Sequence, residues 1–226
     1  MKHLSHIDTW VFDLDGTLYD AATHVFDTMH DHINAYVAET LNITTKEADQ
    51  KRYEYFKKHG TTLRGMMAEH GTDPDHFLEC THGMDISHVP VCTITAEKIA
   101  LLPGRKLIHT NASRKWAENM LAHLELAHLF EGIFAIEDAQ YMPKPAVAPY
   151  QDFLKQYNIN PKTACMFEDM AVNLKTAHDL GMSTVWLHYG KDAAHDYVHD
   201  KDETLAAWLS RPTEYTEEKR VCSSSC

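Results

Sequence analysis

Hydrophobic and polar residues change their pattern twice along the chain. An apolar run at residues 7–12 predicts a β-strand. The stretch that follows, to about residue 102, is almost entirely helical in pattern. Its first apolar residues recur at helical spacing and predict an amphipathic helix: Phe26, Met29, Ile33 and Val37. From residue 106 onwards, short apolar runs alternate with helical stretches.

Local end signals divide the helical stretch. Residues 44–47 (Thr-Thr-Lys-Glu) have the spacing of a capping box and open a second helix, which Gly60 closes. Thr61 caps a third helix that runs through His70. Asp73 followed by proline opens a fourth. A Pro-Gly turn at residues 103–104 ends the insertion.

The alternating part predicts a parallel sheet. Strands are expected at residues 106–110, 132–136, 164–167 and 183–187, and helices at 113–124, 147–157, 171–180 and 202–209. Strands separated by helices of this length require crossover connections, which bury both faces of a sheet. We therefore predict an α/β protein with a Rossmann-like, doubly wound parallel sheet. Residues 1–18 and 104–210 form its core domain, residues 19–103 an inserted α-helical cap, and residues 211–226 a flexible tail.

Charge narrows the range of partners. The net charge of −12 argues against a nucleic-acid or anionic-membrane surface. An acidic protein can bind phosphate if a divalent cation and local donors reverse the charge of the site. No apolar run approaches the ~20 residues of a membrane span, and the first residues lack the apolar segment of a secretory signal. We expect a cytoplasmic monomer or homodimer.

Cysteine and histidine give weaker signals. The five cysteines are irregularly spaced, which is typical of reduced thiols. For Cys222 and Cys226, a disulfide or a metal clip is the alternative. The 17 histidines are scattered. His195 and His199 could share a helix face, but they lie among aspartates, which indicates a solvated surface rather than a zinc site.

Two acids follow the first predicted strand. Residues 13–17 read Asp-Leu-Asp-Gly-Thr, so Asp13 ends an apolar run and Asp15 follows two positions later, just before a glycine turn. This arrangement suits chemistry in which one carboxylate attacks and another moves a proton. The alternative is an ordinary turn with solvated acids.

The segment 13–17 closely resembles the first motif of the haloacid dehalogenase (HAD) superfamily, whose hydrolytic members mostly form and hydrolyse an aspartyl-phosphate. Three later strand ends resemble the remaining motifs: Thr110 with Asn111, Lys144, and Glu168 with Asp169. Ligands of open parallel sheets bind beyond the carboxyl ends of the strands, where these residues fall. The superfamily fold, a Rossmann-like core with a cap inserted after the first motif, matches the predicted layout.

The resemblance implies roles. Thr110 and Asn111 would bind the phosphoryl group near a helix N-terminus, and Lys144 would neutralise the nucleophile. Mg²⁺ would be held by Asp13, the main-chain carbonyl of Asp15 and Asp169, with Glu168 orienting a bound water or Lys144.

Asp15 also separates two chemistries. Halide is a leaving group that needs no proton, and dehalogenases of the superfamily lack an acid at this position. Asp13 as nucleophile with Asp15 as acid and base therefore favours phosphate esters.

The substrate depends on the cap. The turn His59–Gly65, together with Tyr19, resembles the pyrimidine 5′-nucleotidase branch, which implies that Thr61, Thr62 and Arg64 contact base or ribose. The chain departs from that branch where His59 replaces a common tyrosine, Trp116 a histidine and Asn119 an arginine. We expect a pyrimidine nucleoside monophosphate phosphatase. The alternatives are a sugar-phosphate or phosphoglycolate phosphatase, a phosphomutase, and a non-catalytic HAD-like binding module.

Overall fold

A computed structural model describes residues 4–20, 24–191 and 193–211. The residues predicted as a tail, 211–226, lie outside this part apart from Arg211. Cys222 and Cys226 also lie outside the described residues.

The described residues form a six-stranded parallel sheet in the order β3-β2-β1-β4-β5-β6. The strands are β1 (Thr9–Phe12), β2 (Arg105–His109), β3 (Gly132–Phe134), β4 (Ala164–Glu168), β5 (Ser183–Leu187) and β6 (Asp200–Asp202). Strand β1 lies at the centre and all its residues are buried, because helices cover both faces. This confirms the predicted doubly wound sheet.

Helices α1–α5 connect β1 to β2, and the later helices alternate with the strands. Their bounds are α1 (Val25–Leu41), α2 (Thr45–His59), α3 (Thr62–His70), α4 (Pro74–His82), α5 (Thr93–Leu101), α6 (Arg114–His123), α7 (Val147–Gln156), α8 (Ala171–Asp179) and α9 (Leu205–Leu209). Short 3-10 turns occupy Ala127–Leu129 and Pro161–Thr163. None of the described helices is both long and apolar enough to cross a membrane.

The predicted end signals of the inserted helices are present. Thr44 and Glu47 form a reciprocal capping box at the start of α2, and Gly60 ends that helix with φ of 86°. Asp73 caps α4 through the backbone N–H groups of residues 75 and 76. The helix boundaries in this region were therefore readable from local chemistry.

Two predictions for the last twenty or so described residues were wrong. Asp202 belongs to the edge strand β6, so the last helix begins at Leu205 instead of residue 202. Residues 193–199 are not helical, so His195 and His199 share no helix face. His195 instead stacks on Tyr197, with ring centroids 5.0 Å apart.

The apolar residues form three clusters. Two cover the opposite faces of the sheet. The third lies among α1–α4 and includes Val37, Tyr55 and Phe77, so these helices have a hydrophobic centre of their own. Helix α5 instead contributes Ile99 to a cluster on the sheet. The domain boundaries at residues 18–19 and 103–104 stay a prediction.

Strand order determines where a ligand can bind. The chain leaves β1 towards β2 and β3 on one side, and then crosses to β4 and β5 on the other. The carboxyl ends of β1 and β4 therefore flank the point where the winding direction reverses, which is where doubly wound proteins bind ligands. The main-chain N–H of Asp13 donates to the carbonyl of Phe167 at 3.0 Å, which keeps the two strand ends side by side.

Candidate active site

Polar groups from four segments converge at this point of the sheet. Asp13 follows β1, His109 ends β2, Glu168 ends β4, and Lys144 comes from the loop before α7. Lys144 is only 3% exposed and Asp13 only 5%. The structure thus brings together Asp13, Lys144 and the Glu168–Asp169 pair, as the sequence predicted.

Lys144 is the centre of the hydrogen bonding. Its Nζ donates to Asp13 Oδ1 at 2.7 Å, to Glu168 Oε2 at 2.7 Å and to the carbonyl of His109 at 2.9 Å. These three bonds use all the N–H groups of an ammonium. The lysine therefore has one geometry, in which it bridges Asp13 and Glu168.

Asn111 holds the Lys144 loop. The main-chain N–H of Lys144 donates to Asn111 Oδ1 at 2.8 Å, and Asn111 Nδ2 donates to the carbonyl of Lys144 at 3.3 Å. The peptide bond between Lys144 and Pro145 is cis. Both polar ends of the Asn111 amide are engaged here, so in this conformation the residue positions the lysine.

Three carboxylates form a cluster beside the lysine. One oxygen from each of Asp13, Glu168 and Asp169 lies within 4.8 Å of the others. Glu168 Oε2 already accepts from Lys144, and its Oε1 accepts from the N–H of Met170 at 3.2 Å. Asp13 and Asp169 are therefore better placed than Glu168 to bind a cation directly.

The glycine turn closes the cluster. Gly16 has φ of +77°, and a Cβ at this position would lie 2.8 Å from Asp169 Oδ2. Only glycine allows both this backbone conformation and this close approach. The turn therefore brings the main chain that follows Asp15 against the Asp169 carboxylate.

The charges of the cluster do not balance without a cation. Burial, and then the neighbouring Glu168, raise the pKa of Asp13, while burial raises the pKa of Glu168 and of Asp169. Burial alone would lower the pKa of Lys144, but Asp13 and Glu168 raise it above its usual range. One ammonium cannot neutralise two buried carboxylates and a third that is half-buried. Their oxygens are the ligands that Mg²⁺ prefers, so the residues present fit this ion.

Asp15 lies apart from the cluster. Its Oδ1 accepts a hydrogen bond from Trp116 Nε1 at 2.8 Å and another from the Tyr19 hydroxyl. Burial raises the pKa of Asp15, and the two hydrogen bonds act in the opposite direction. Sequence reasoning named Trp116 only as a departure from a family pattern and missed its contact with the acid.

Thr110 shapes the loop before α6. Its hydroxyl accepts from the N–H of Ala112 at 3.0 Å. The first N–H groups of the helix already have acceptors, because Arg114 donates to the Glu137 carboxylate and Trp116 donates to Ser113 Oγ. A phosphoryl group would therefore meet the loop at residues 110–112 rather than the helix terminus itself.

A cavity of about 200 Å³ separates the inserted helices from the core. Thr61, Thr62 and Asn111 all line it, so the predicted cap residues meet a residue of the second motif there. Arg64 is not part of this lining. Three polar residues that the sequence analysis did not name also line the cavity: His30, Arg52 and His82.

The turn that suggested a substrate contact also has packing roles. Thr61 Oγ1 accepts from the N–H of Arg64 at 3.1 Å and so caps α3. A Cβ at Gly65 would lie 2.4 Å from Cγ of Tyr55, so α3 can pack this closely on α2 only with glycine there. The threonines therefore serve as helix ends and as cavity lining at once.

The fold and the site define a class: a Rossmann-like α/β protein with a cluster of carboxylates and a lysine at the end of its central strand. Residues 10–187 match the haloacid dehalogenase-like hydrolase family model. The chain belongs to this family.

Known relatives agree with this assignment. Glyceraldehyde 3-phosphate phosphatase from Pyrococcus furiosus is 24% identical over 201 residues, which cover 82% of each chain. A HAD phosphatase from Thermococcus onnurineus superimposes with a TM-score of 0.61 at 16% identity, covering 89% of this chain and 96% of that one. The putative HAD hydrolase YfnB from Bacillus subtilis, solved with bound magnesium, has a TM-score of 0.60 at 15% identity over 91% and 99% of the two chains. At these identities the structural matches show the fold alone.

Proposed function

We propose that this protein is a Mg²⁺-dependent phosphomonoesterase that hydrolyses short phosphorylated sugars through an aspartyl-phosphate on Asp13. The observation that carries the proposal is Asp15, a carboxyl group held by two hydrogen bonds two residues after a buried, lysine-paired aspartate. Displacement of a halide would need no such acid. Departure of an alkoxide needs a proton from such an acid.

The residues account for both steps of the reaction. Asp13 attacks phosphorus while the bond from phosphorus to the ester oxygen breaks, and Asp15 gives a proton to the departing alkoxide. A water molecule then attacks the phosphorus of the aspartyl-phosphate, Asp15 takes its proton, and inorganic phosphate leaves Asp13. Lys144 holds the nucleophile beside the incoming dianion.

Asp13, Asp169 and the main-chain carbonyl of Asp15 would hold Mg²⁺. The bound ion would neutralise charge on the phosphoryl oxygens. In this arrangement Glu168 acts through Lys144, since its oxygens are engaged by the lysine and by the N–H of Met170.

The cavity supports a small substrate. Its volume of about 200 Å³ lies below the range of about 300–1,000 Å³ that is usual for drug-sized ligands. Asn111 lines this cavity and Asp13, Asp15 and Lys144 do not, so its volume limits the part of the substrate beyond the phosphate, where a three- or four-carbon chain fits better than a nucleoside. The Pyrococcus relative, named for glyceraldehyde 3-phosphate, has a substrate of this size.

Pyrimidine nucleoside monophosphates are the second candidate. The observation in their favour is that Thr61 and Thr62, from the turn that resembles the nucleotidase branch, line the cavity next to Asn111. That specificity stays a prediction.

A substrate panel separates the two candidates. Phosphate release would be measured with Mg²⁺ on glyceraldehyde 3-phosphate, glycerol phosphate, phosphoglycolate, a hexose phosphate, UMP, CMP and AMP. We expect the highest kcat/KM on the three-carbon esters, and loss of release in EDTA and in Asp13→Asn. Highest activity on UMP and CMP would favour the second candidate. A protein that releases no phosphate from any of them would contradict both.

Phe56 offers a direct test of the size argument. Its side chain lines the cavity but is 46% exposed, so Phe56→Ala widens the space with little risk to folding. The variant should raise the kcat/KM ratio of hexose phosphate to glyceraldehyde 3-phosphate. Tyr53→Ala on the same helix is the matched control, since Tyr53 is exposed and lies outside the lining. An equal ratio in wild type and both variants would show that this cavity does not select by size.

A further inference from the structure

Two buried donors converge on the same oxygen of Asp15. Trp116 Nε1 lies 2.8 Å from Asp15 Oδ1, and the Tyr19 hydroxyl donates to that oxygen as well. Trp116 is 1% exposed and Tyr19 is 6% exposed. No function described above uses either side chain.

This pairing removes a freedom that carboxyl groups ordinarily have. The terminal torsion of an aspartate is broad and roughly two-fold, so its two oxygens readily exchange places. Two donors on Oδ1 occupy the lone pairs of that oxygen and hold the plane of the group. Only Oδ2 then stays available to a reacting molecule.

We propose that Trp116 and Tyr19 are positioning residues that fix the Asp15 carboxyl group, so that Oδ2 is the oxygen that exchanges a proton with the leaving alkoxide and the attacking water. This rests on the proposed phosphatase function. It assigns to both rings a part in turnover that is separate from their part in packing.

The rings themselves are held by neighbours from different elements. The main-chain N–H of Trp116 donates to Ser113 Oγ at 3.2 Å and so fixes the backbone that carries the indole, in the first turn of α6. The edge of its indole packs against His82 of α4, with centroids 5.6 Å apart. Tyr19 stacks on Phe26 of α1 at 6.4 Å. The donors therefore have fixed positions before any substrate binds, which is what orientation of an acid requires.

A purely structural role makes a different prediction. If Trp116 only fills space, its replacement would damage all turnover alike. If it orients the acid, its replacement would lower kcat/KM only for substrates whose leaving group needs a proton, because kcat/KM reports the steps up to departure of the leaving group and not the later attack of water. Glycerol phosphate has such a leaving group, whereas p-nitrophenyl phosphate releases a stable phenolate without one.

The experiment compares kcat/KM on these two esters for wild type, Trp116→Phe, Tyr19→Phe and Trp116→His. We expect both phenylalanine variants to lose about 10- to 100-fold on glycerol phosphate, a fraction of what general acid catalysis contributes, and little on the aryl ester. Trp116→His carries a ring N–H at similar reach and should recover part of the loss. Equal losses on both esters, or no loss on either, would overturn the proposal.

A spectroscopic readout does not depend on turnover. The indole N–H resonance that disappears in Trp116→Phe should move upfield in Asp15→Ala, because its hydrogen-bond acceptor is gone. An unchanged resonance would show that the hydrogen bond does not exist in solution, and would overturn the positioning role. A wild-type protein that hydrolyses neither ester would instead refute the proposed function, and the resonance would still decide whether Trp116 holds Asp15.

Discussion

Replacing Lys144 with methionine removes the ammonium that Asp13 and Glu168 share while keeping an unbranched side chain. Lys144 is 3% exposed, and both carboxylates lie 2.7 Å from its Nζ. Truncating one partner of a buried ion pair costs about 3–5 kcal/mol, because the remaining charge stays buried without compensation. For a chain of this length, each kcal/mol lowers Tm by about 2–4 °C, so the expected fall is about 6–20 °C.

Urea unfolding in EDTA, followed by tryptophan fluorescence, measures this cost. The loss of unfolding free energy in Lys144→Met should be larger at about pH 9 than at about pH 6. At the lower pH the carboxylates left without their lysine take up protons and lose the charge whose burial destabilises the fold. Burial raises the pKa of Asp13 to about 8 even with the lysine present. A group with a raised pKa in the folded state stabilises the fold while protonated, and this contribution is lost as pH rises through that pKa.

The matched control is Lys175→Met. Lys175 also pairs with an aspartate, Asp179, at 2.6 Å, but both side chains are more than half exposed. Surface pairs of this kind contribute little, so no measurable change is expected at either pH. The reasoning fails if Lys144→Met unfolds at the same urea concentration as the wild type at about pH 9, or no earlier than the control.

Two further outcomes are expected. Mg²⁺ should raise the Tm of the wild type more at about pH 9 than at about pH 6. Burial raises the pKa values of Asp13 and Asp169, so at the lower pH protons compete with the cation for both carboxylates. Equal Tm shifts at the two pH values in differential scanning fluorimetry would contradict this. Gly16→Ala and Gly190→Ala should each lose at least about 1–2 kcal/mol in urea unfolding, since both glycines have φ of +77°. Only Gly16→Ala should also need more Mg²⁺ for half-maximal phosphate release, because only its Cβ would meet Asp169, and equal Mg²⁺ requirements would refute the role of that contact.

The core strands were predictable because their continuous apolar runs follow from burial of both faces of the sheet. A parallel sheet buried on both faces needs continuous apolar runs, and the runs that became β1, β4 and β5 are of this kind. Strand β6 has the sequence Asp-Lys-Asp and lies at the edge, so no apolar run announced it. Its aspartates contact Arg211 and Trp208, which only the folded chain brings together.

The grouping of the candidate site residues was predictable for a related reason. Parallel strands end at one edge of the sheet, so acids placed directly after separate apolar runs meet there. The contact between Trp116 and Asp15 follows no such rule, because 101 positions separate the residues and the indole comes from the first turn of a helix. The only sequence signal was that Trp116 departs from the pattern of the resembling branch.

Substrate choice was the least predictable property, and the cavity shows why. Ile33, Phe77 and Leu78 line the cavity, and the same residues belong to or pack against the hydrophobic cluster of α1–α4. Their helical spacing would be the same in a bundle that left no space at all. The size of the cavity depends on how much of the space below the inserted helices these side chains leave unfilled. The spacing of apolar residues along the chain does not predict that volume. Under the proposed function, altered volumes at such positions would change the preferred substrate while Asp13, Asp15 and Lys144 stay in place.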